Sequence, residues 1–279
     1  MGRLCAALNE SSEVGDAILT STGSALSSGI KLAGASQHSH IGVVTAPGWI
    51  TESNTWSMTP DESSEGLYET EITELARRKK LTTVTVLRPI GLDPRRLADQ
   101  ASTLRTSSPG FPSVGMAFLA LSWFARPLVR GLPKKYSDAI VAYQVRLISD
   151  GQAVMSCAEA VARLYLAAGL ALRFRSLTFE RLARTASPSL SMQPAKPDTL
   201  HTRTAATGSW PGSGRGFIGA LANVRFVVKM VRLAAGRRSS TVAYQDAADF
   251  LTPGDFLRAE PFTHIATFEQ DEHGWVKVM

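Results

Sequence analysis

The chain has 279 residues, of which 44% are hydrophobic, a composition that supports a substantial core and excludes a disordered chain. Its two cysteines, Cys5 and Cys157, exclude a disulfide framework and favour a reducing compartment. The net charge of +6 fits contact with anionic surfaces, although a solvated basic face is the commoner cause. We expect a single domain over residues 1–279 that is cytoplasmic, with peripheral contact to an anionic membrane as an alternative.

Turn and capping signals divide the first hundred residues into short alternating elements. The Ala46-Pro47-Gly48 sequence between two short β-like runs is a hairpin signal. In chain order the predicted elements are a strand at 15–21, a helix at 24–33, strands at 40–45 and 49–52, a polar loop at 54–66, a charged helix at 69–80, a strand at 82–89 and a helix at 93–104.

The second half of the chain is richer in helical patterns. Ser156 is a good N-cap for the largely apolar run that follows, which predicts a buried central helix at 157–172 that begins at Cys157. The other expected elements are a helix at 136–149, a surface loop at 185–216, a helix at 217–235 and a terminal hairpin of strands at 264–268 and 275–278. Because strands cluster before and after the helices, the pattern indicates an α+β domain with an antiparallel sheet.

Three residues have the chemistry of a cysteine-dependent site. A cysteine at a helix N-terminus is favoured as the thiolate, and Cys157 has that position if Ser156 is the cap. A histidine can exchange its proton, and a carboxylate can orient the imidazole. His40 and Glu52 are twelve residues apart, and this even offset places both side chains on one face of a hairpin. Spacing alone does not join Cys157 to the other two, and each residue also has an ordinary structural interpretation.

Short motifs in several of these elements are similar to those of one enzyme family. They are a Gly-Asp before the first strand (Gly15, Asp16), a Ser-His-x-Gly at the next strand (Ser39, His40, Gly42), a strand that ends in Glu52, the Leu-Arg-Pro at 87–89, the Tyr-Ser-Asp at 136–138, the Ser-Cys-Ala-Glu at 156–159 and the Thr-Pro-Gly-Asp at 252–255. With them the chain resembles the permuted papain-like amidases of the YaeF/YiiX type over residues 15–172 and 250–262. That family is distantly related to NlpC-type cell-wall peptidases and to lecithin:retinol acyltransferase-like enzymes.

The resemblance implies a permuted papain-like, NlpC-like fold in which an antiparallel sheet packs on a central helix that starts at the nucleophile. It implies Cys157 as nucleophile, His40 as general base and acid, and Glu52 as the orienting group. The chain departs from the family at Ala158, where a serine is more usual after the cysteine. His38 lies two residues from His40 and is a second candidate for the base.

Two segments are expected to be insertions into that fold, at about 105–132 and 174–249. The apolar run 114–130 within the first is either core or the lining of an acyl-binding groove. The helix at 217–235 has two apolar stripes and a narrow basic stripe, which favours burial over a lid or a membrane-surface helix. The basic residues are scattered and the two cysteines distant, so the sequence indicates neither nucleic-acid binding nor a metal site.

These observations predict a thiol-dependent hydrolase or acyltransferase that acts on an amide or ester carbonyl through a Cys157 thioester and needs no cofactor. The substrates that the resemblance implies are peptide-like cell-wall amides or lipid acyl groups. The alternative is a non-catalytic member of the same fold that binds lipid or a partner protein. The sequence leaves the choice of substrate open, and also whether water or another molecule accepts the acyl group.

Overall fold

The computed structural model describes residues 2–23, 25–54, 66–78, 81–106, 134–148, 156–186, 190–194, 241–244 and 247–279. The predictions for 114–130 and 217–235 fall outside these residues, as does most of the predicted loop at 185–216. The elements in chain order are α1 (Gly2–Ser11), β1 (Ala17–Thr22), α2 (Ala25–Gly34), β2 (His40–Ala46), β3 (Trp49–Asn54), β4 (Gly66–Glu71), α3 (Ile72–Arg77), β5 (Leu81–Pro89), α4 (Pro94–Thr106), α5 (Lys134–Ile148), α6 (Cys157–Ala167), α7 (Leu177–Thr185), β6 (Ser191–Pro194), β7 (Thr241–Tyr244), a 3-10 turn (Ala247–Phe250), α8 (Pro253–Phe256), β8 (Phe262–Asp271) and β9 (Gly274–Lys277).

A seven-stranded sheet in the order β4-β3-β2-β1-β5-β8-β9 organises the fold, and its paired strands are antiparallel. The chain is therefore an α+β protein with an antiparallel sheet, as the sequence predicted. Both predicted hairpins are present, β2 with β3 and β8 with β9. A separate two-stranded sheet pairs β6 with β7 in parallel.

Alternation along the strands divides the core between the two faces of the sheet. Leu19 of β1 and Val43 of β2 belong to one apolar cluster together with residues of α4 and α6. Ile18 and Val44, their neighbours in sequence, belong to a second cluster with residues of α1 and α3. The sheet is thus covered by helices on both sides, and α6 packs against β2, β3 and the neighbouring α4.

Specific contacts define both ends of α6, and the one at its far end joins the helix to the sheet. At its start, the Ser156 side chain accepts a hydrogen bond from the Glu159 backbone N–H at 3.1 Å, which confirms the predicted N-cap. Two turns later, the buried Tyr165 hydroxyl donates to the Gly15 carbonyl at 2.8 Å, two residues before β1 begins. Residue 20, near the other end of β1, pairs with His40. The helix therefore runs along the sheet with its Cys157 end towards His40.

The Gly-Asp and Leu-Arg-Pro motifs meet at the opposite end of the sheet. The Asp16 side chain, which is 1% exposed, accepts hydrogen bonds from the Arg88 Nε at 2.9 Å and from the Arg88 Nη2 at 2.8 Å. This bidentate pair is the strong form of an arginine–carboxylate contact. It joins the entry to β1 with the end of β5, so these two motifs stabilise the sheet.

Three sequence predictions are wrong in part. The charged helix expected at 69–80 is strand β4 up to Glu71 and helix only from Ile72 to Arg77, because pairing with β3 outweighs the local helix preference. The loop expected at 185–216 contains β6, whose parallel partner β7 lies some fifty residues away and leaves no local signal. The central helix ends at Ala167 and not at residue 172, since Gly169 adopts a φ of 88° just beyond it.

Within the described part of the chain, no helix is both long and apolar enough to cross a lipid bilayer.

Gly42 provides the close approach between β2 and β3 on which the placement of Glu52 depends. A Cβ at this position would lie 2.5 Å from Ile50 Cγ2 and 3.2 Å from Glu52 Cβ. We expect Gly42→Ala to lower the free energy of unfolding in urea by about 1–3 kcal/mol, because the overpacked hairpin must shift. Gly23→Ala is the control, since no described heavy atom lies within 4 Å of a Cβ there. Equal stability of the two variants would contradict this packing.

Candidate functional site

His40 and Glu52 form a buried hydrogen-bonded pair across the β2–β3 hairpin. His40 Nε2 lies 2.5 Å from Glu52 Oε2, and the Glu52 side chain is 1% exposed. A register shift between Val44 and Ala46 lies on the turn side of the pair and leaves Gly42 opposite Glu52. The two side chains therefore share one face of the hairpin, as their even offset predicted.

Cys157 joins this pair from the first position of α6. Its side chain lies close enough to the His40 ring to raise the pKa of that ring. Because Glu52 occupies the His40 Nε2 atom, the other ring nitrogen, Nδ1, is the one left for the sulfur. The structure thus brings together the three residues that the sequence analysis selected, although Cys157 is 105 residues from Glu52 in the chain.

The imidazole of His40 is held in its protonated form by its neighbours. Burial alone would lower the pKa of His40, but the charge of Cys157 and its hydrogen bond, followed by those of Glu52, raise that pKa to about 9. At neutral pH the ring therefore carries a positive charge between a sulfur and a carboxylate.

Arg78 is a site residue that the sequence analysis missed. Its Nη1 donates to Glu52 Oε2 at 2.9 Å, its Nη2 donates to Glu52 Oε1, and the Thr70 hydroxyl donates to Oε1 at 2.6 Å. Burial would raise the pKa of Glu52, but Arg78 and His40 together hold it well below its usual range. Glu52 is therefore an anion with several donors around it. Arg78 lies in a run of four basic residues at 77–80, which is typical of the exposed end of a helix. Nothing in the sequence therefore distinguishes Arg78 as a site residue.

His38 lies apart from the pair and does not have the properties of a base for Cys157. Its Nε2 contacts the Thr85 hydroxyl at 2.9 Å, and that hydroxyl continues to Thr267 at 2.8 Å. Burial, with Lys31 and His264 nearby, lowers the pKa of His38 to about 4, so the ring is neutral at physiological pH. Its hydrogen bonds connect it to β5 and β8.

The two remaining motifs that carry the resemblance lie in a helix or at the start of one. Residues 136–138 lie in α5. Asp255 lies in the first turn of α8, where its carboxylate accepts hydrogen bonds from the backbone N–H and the hydroxyl of Thr252, each at 2.8 Å. Asp255 thereby closes the N-terminus of that helix, which is the usual use of an acidic residue in a first turn.

The described residues contain no group of three or more His, Cys, Asp or Glu side chains that could hold a metal ion. Comparison of the chain with protein-family models, with curated proteins and with solved structures finds no match. The arguments about function therefore depend on the site itself.

The ion pair of Arg78 with Glu52 predicts a large effect on stability. Arg78→Met removes the bidentate cation and leaves a buried carboxylate with one fewer partner, so we expect a loss of about 3–5 kcal/mol in the free energy of unfolding. Arg78→Met combined with Glu52→Gln should recover part of that loss, since no unpaired charge remains. Arg175→Met, which breaks an exposed pair with Glu180, should leave the unfolding midpoint unchanged. A similar loss of stability in Arg78→Met and Arg175→Met would contradict the burial of the Arg78–Glu52 ion pair.

The two neighbouring histidines should titrate at opposite ends of the pH range. We expect the His40 ring to lose its proton at a pH of about 9 and the His38 ring to gain one only near pH 4. Nitrogen-15 NMR of the imidazoles, assigned with His40→Gln and His38→Gln variants, measures both. Titration of the two rings close to the ordinary value of about 6.5 would show that neither environment exists in solution.

Proposed function

We propose that the protein is a cysteine-dependent hydrolase or acyltransferase that acts on an amide or ester carbonyl. The observation that carries the proposal is the convergence of Cys157, at the head of a buried helix, on His40, whose ring is oriented by Glu52. Nucleophile, base and orienting group in this order are the arrangement that nucleophilic catalysis by cysteine requires.

In the first half of the reaction, the Cys157 thiolate attacks the carbonyl carbon and forms a tetrahedral oxyanion. The backbone N–H groups of Cys157 and Ala158 stand in the first helical turn, where no acceptor within the helix is available, and these groups would stabilise the oxyanion. Collapse of the intermediate breaks the bond to the leaving amine or alcohol. His40 donates its proton to that leaving group, and a thioester on Cys157 remains.

In the second half, water or another nucleophile attacks the thioester. His40, now neutral, accepts the proton of the attacking molecule, and the thiolate of Cys157 leaves, which regenerates the thiolate–imidazolium pair. Glu52 does not change its protonation state in either half. Its role is to fix the ring through Nε2 and to stabilise the imidazolium, and Arg78 keeps it ionised for this purpose.

We further propose that the fold is the permuted papain-like fold of the YaeF/YiiX type. An antiparallel sheet that carries the histidine and the carboxylate before the cysteine in sequence, and a helix that begins at that cysteine, support this assignment. The substrates that the resemblance implies are peptide-like cell-wall amides and lipid acyl groups, bound in the cytoplasm or at an anionic membrane surface.

A non-catalytic binding protein of the same fold is the second candidate. The observation in its favour is the burial of Cys157, which is 2% exposed and packs in the same apolar cluster as Val161 of α6. A cysteine in such surroundings is often a small core residue. The reactivity of its sulfur distinguishes the two candidates.

The two cysteines of the chain allow a test with an internal control. Cys5 is more exposed than Cys157 and has no histidine partner among its described contacts, so exposure alone predicts that Cys5 reacts faster. If Cys157 belongs to a catalytic pair, iodoacetamide at pH 7 should modify Cys157 at least about tenfold faster than Cys5, as followed by peptide mass spectrometry. His40→Ala should remove this advantage.

Peptide mass spectrometry after incubation with p-nitrophenyl acetate tests for the thioester itself. If the protein is a hydrolase or acyltransferase, Cys157 should become acetylated, and the acetyl group should either accumulate or be released in turnover. Cys157→Ser and His40→Ala should abolish this acetylation. The Cys5→Ser variant should behave like the parent. Slow, equal modification of both cysteines without acetylation at Cys157 would favour the binding protein.

A further inference from the structure

A chain of hydrogen bonds runs across the sheet from His38 to the surface of β8, apart from the groups that the proposed mechanism uses. The His38 Nε2 lies 2.9 Å from the Thr85 hydroxyl of β5, and that hydroxyl lies 2.8 Å from the Thr267 hydroxyl of β8. The Thr267 hydroxyl in turn lies 2.8 Å from the Nε2 of His264. His38 and Thr85 are buried, whereas His264 is exposed. The chain therefore joins a buried imidazole to an imidazole in contact with solvent.

A β-bulge in β8 places the two members of the chain that belong to this strand on the same face. Thr85 is opposite Thr267, but Leu87, two residues further along β5, is opposite His264. Ile265 is the extra residue, so His264 and Thr267 share one face although they are three positions apart. In a regular strand, an odd separation would put them on opposite faces. The bulge is thus what allows His264 to reach the Thr267 hydroxyl.

The number of hydrogens in the chain restricts the two rings. Each of the three contacts needs one hydrogen, and the two threonine hydroxyls supply only two of them. One ring must therefore donate from its Nε2. If both rings donated, one hydroxyl hydrogen would have no acceptor within the chain, which is costly for a buried group. The chain is complete only when a single ring donates, and the two possible donors correspond to two opposite directions of the hydrogen bonds.

We propose that His38, Thr85, Thr267 and His264 form a pH-sensitive relay, in which protonation of His264 at the surface sets the direction of the hydrogen bonds and the tautomer of His38. A protonated His264 carries a hydrogen on both ring nitrogens, so its Nε2 must donate to Thr267. Thr267 then donates to Thr85 and Thr85 to the His38 Nε2, which leaves the hydrogen of the neutral His38 ring on Nδ1. When His264 is neutral, the opposite direction is also open, and His38 can carry its hydrogen on Nε2.

The charges around the relay leave His38 neutral while His264 changes its charge. Burial, followed by the charges of Lys31 and His264, lowers the pKa of His38 to about 4. Glu269 and Asp271 follow at alternate positions on the same face of β8, and they act on the pH at which His264 takes up its proton. The strand residues opposite this face of β8 are uncharged: Thr83, Thr85 and Leu87 of β5 and Gly274 and Val276 of β9. The pH-dependent change at His38 is therefore in the position of its hydrogen and not in its charge.

The relay leads to the segment that enters β2. The His38 Nδ1 lies 3.5 Å from the Ser36 hydroxyl, which also accepts a hydrogen bond from the His38 backbone N–H at 3.0 Å. With its hydrogen on Nδ1 the ring offers a donor to this hydroxyl, and with the hydrogen on Nε2 it offers an acceptor. Protonation at the surface of β8 therefore reverses the polarity of a contact shortly before His40, the first residue of β2. This inference does not depend on the proposed function.

Nitrogen-15 NMR of the imidazoles tests the relay, because the chemical shifts of Nδ1 and Nε2 report which nitrogen carries the hydrogen. Between about pH 8 and pH 5, where an exposed imidazole takes up its proton, we expect the Nε2–H fraction of His38 to fall at least about fivefold. Its midpoint should equal that of the His264 titration. Thr267→Val removes a hydroxyl from the middle of the chain and should abolish this dependence. Thr267→Ser retains the hydroxyl and should preserve it.

A His38 tautomer that does not follow the titration of His264, or that responds equally in Thr267→Val and Thr267→Ser, would overturn the proposal. A pH dependence that persists in His264→Phe would do the same, since another group would then be its source. If Thr267→Val does not fold, Thr85→Val and Thr85→Ser form the equivalent pair, and the same criterion applies. The measurement uses the resting protein, so its outcome is independent of whether Cys157 becomes acetylated.

Discussion

The buried ion pair between Arg78 and Glu52 is the interaction on which the candidate site depends. Glu52 has almost no contact with solvent, and a carboxylate in such a place would ordinarily take up a proton. Arg78 prevents this by a bidentate contact, with the Thr70 hydroxyl as a further donor. Only an ionised Glu52 can accept from a protonated His40 ring and stabilise its charge. Arg78 therefore determines the state of the histidine without touching it.

The position of α6 adds Cys157 to the pair of His40 and Glu52. The Tyr165 hydroxyl fixes the far end of the helix at Gly15, where β1 begins, and Ser156 closes the near end. Between these two points the helix packs against strands β2 and β3, the strands that carry His40 and Glu52. The Tyr165 contact and the apolar cluster around the helix together give Cys157 a defined position.

Local patterns were sufficient for the elements that form close to their own sequence. The Pro-Gly turn located the β2–β3 hairpin, and Ser156 located the start of α6, because both signals act over a few residues. The even offset then placed His40 and Glu52 on one face. Nothing local marked β4 or β6 as strands, since each is defined by a partner strand. Arg78 was missed for the same reason: its burial is created by the folding of α3 against the sheet and not by the residues beside it.

Charge accounting shows what the surroundings of His40 favour. The protonated ring and Arg78 face a single carboxylate, Glu52, so these described groups carry one excess positive charge in a largely buried place. Such an excess is costly away from water unless an anion lies near it. The ionic group of Glu159, Asp249 and Arg163 has the opposite imbalance, because two carboxylates share one cation, and burial raises the pKa of Glu159 to about 7. The proposed reaction develops its negative charge beside the excess positive charge of His40 and Arg78, which is the electrostatic arrangement that stabilises such a transition state.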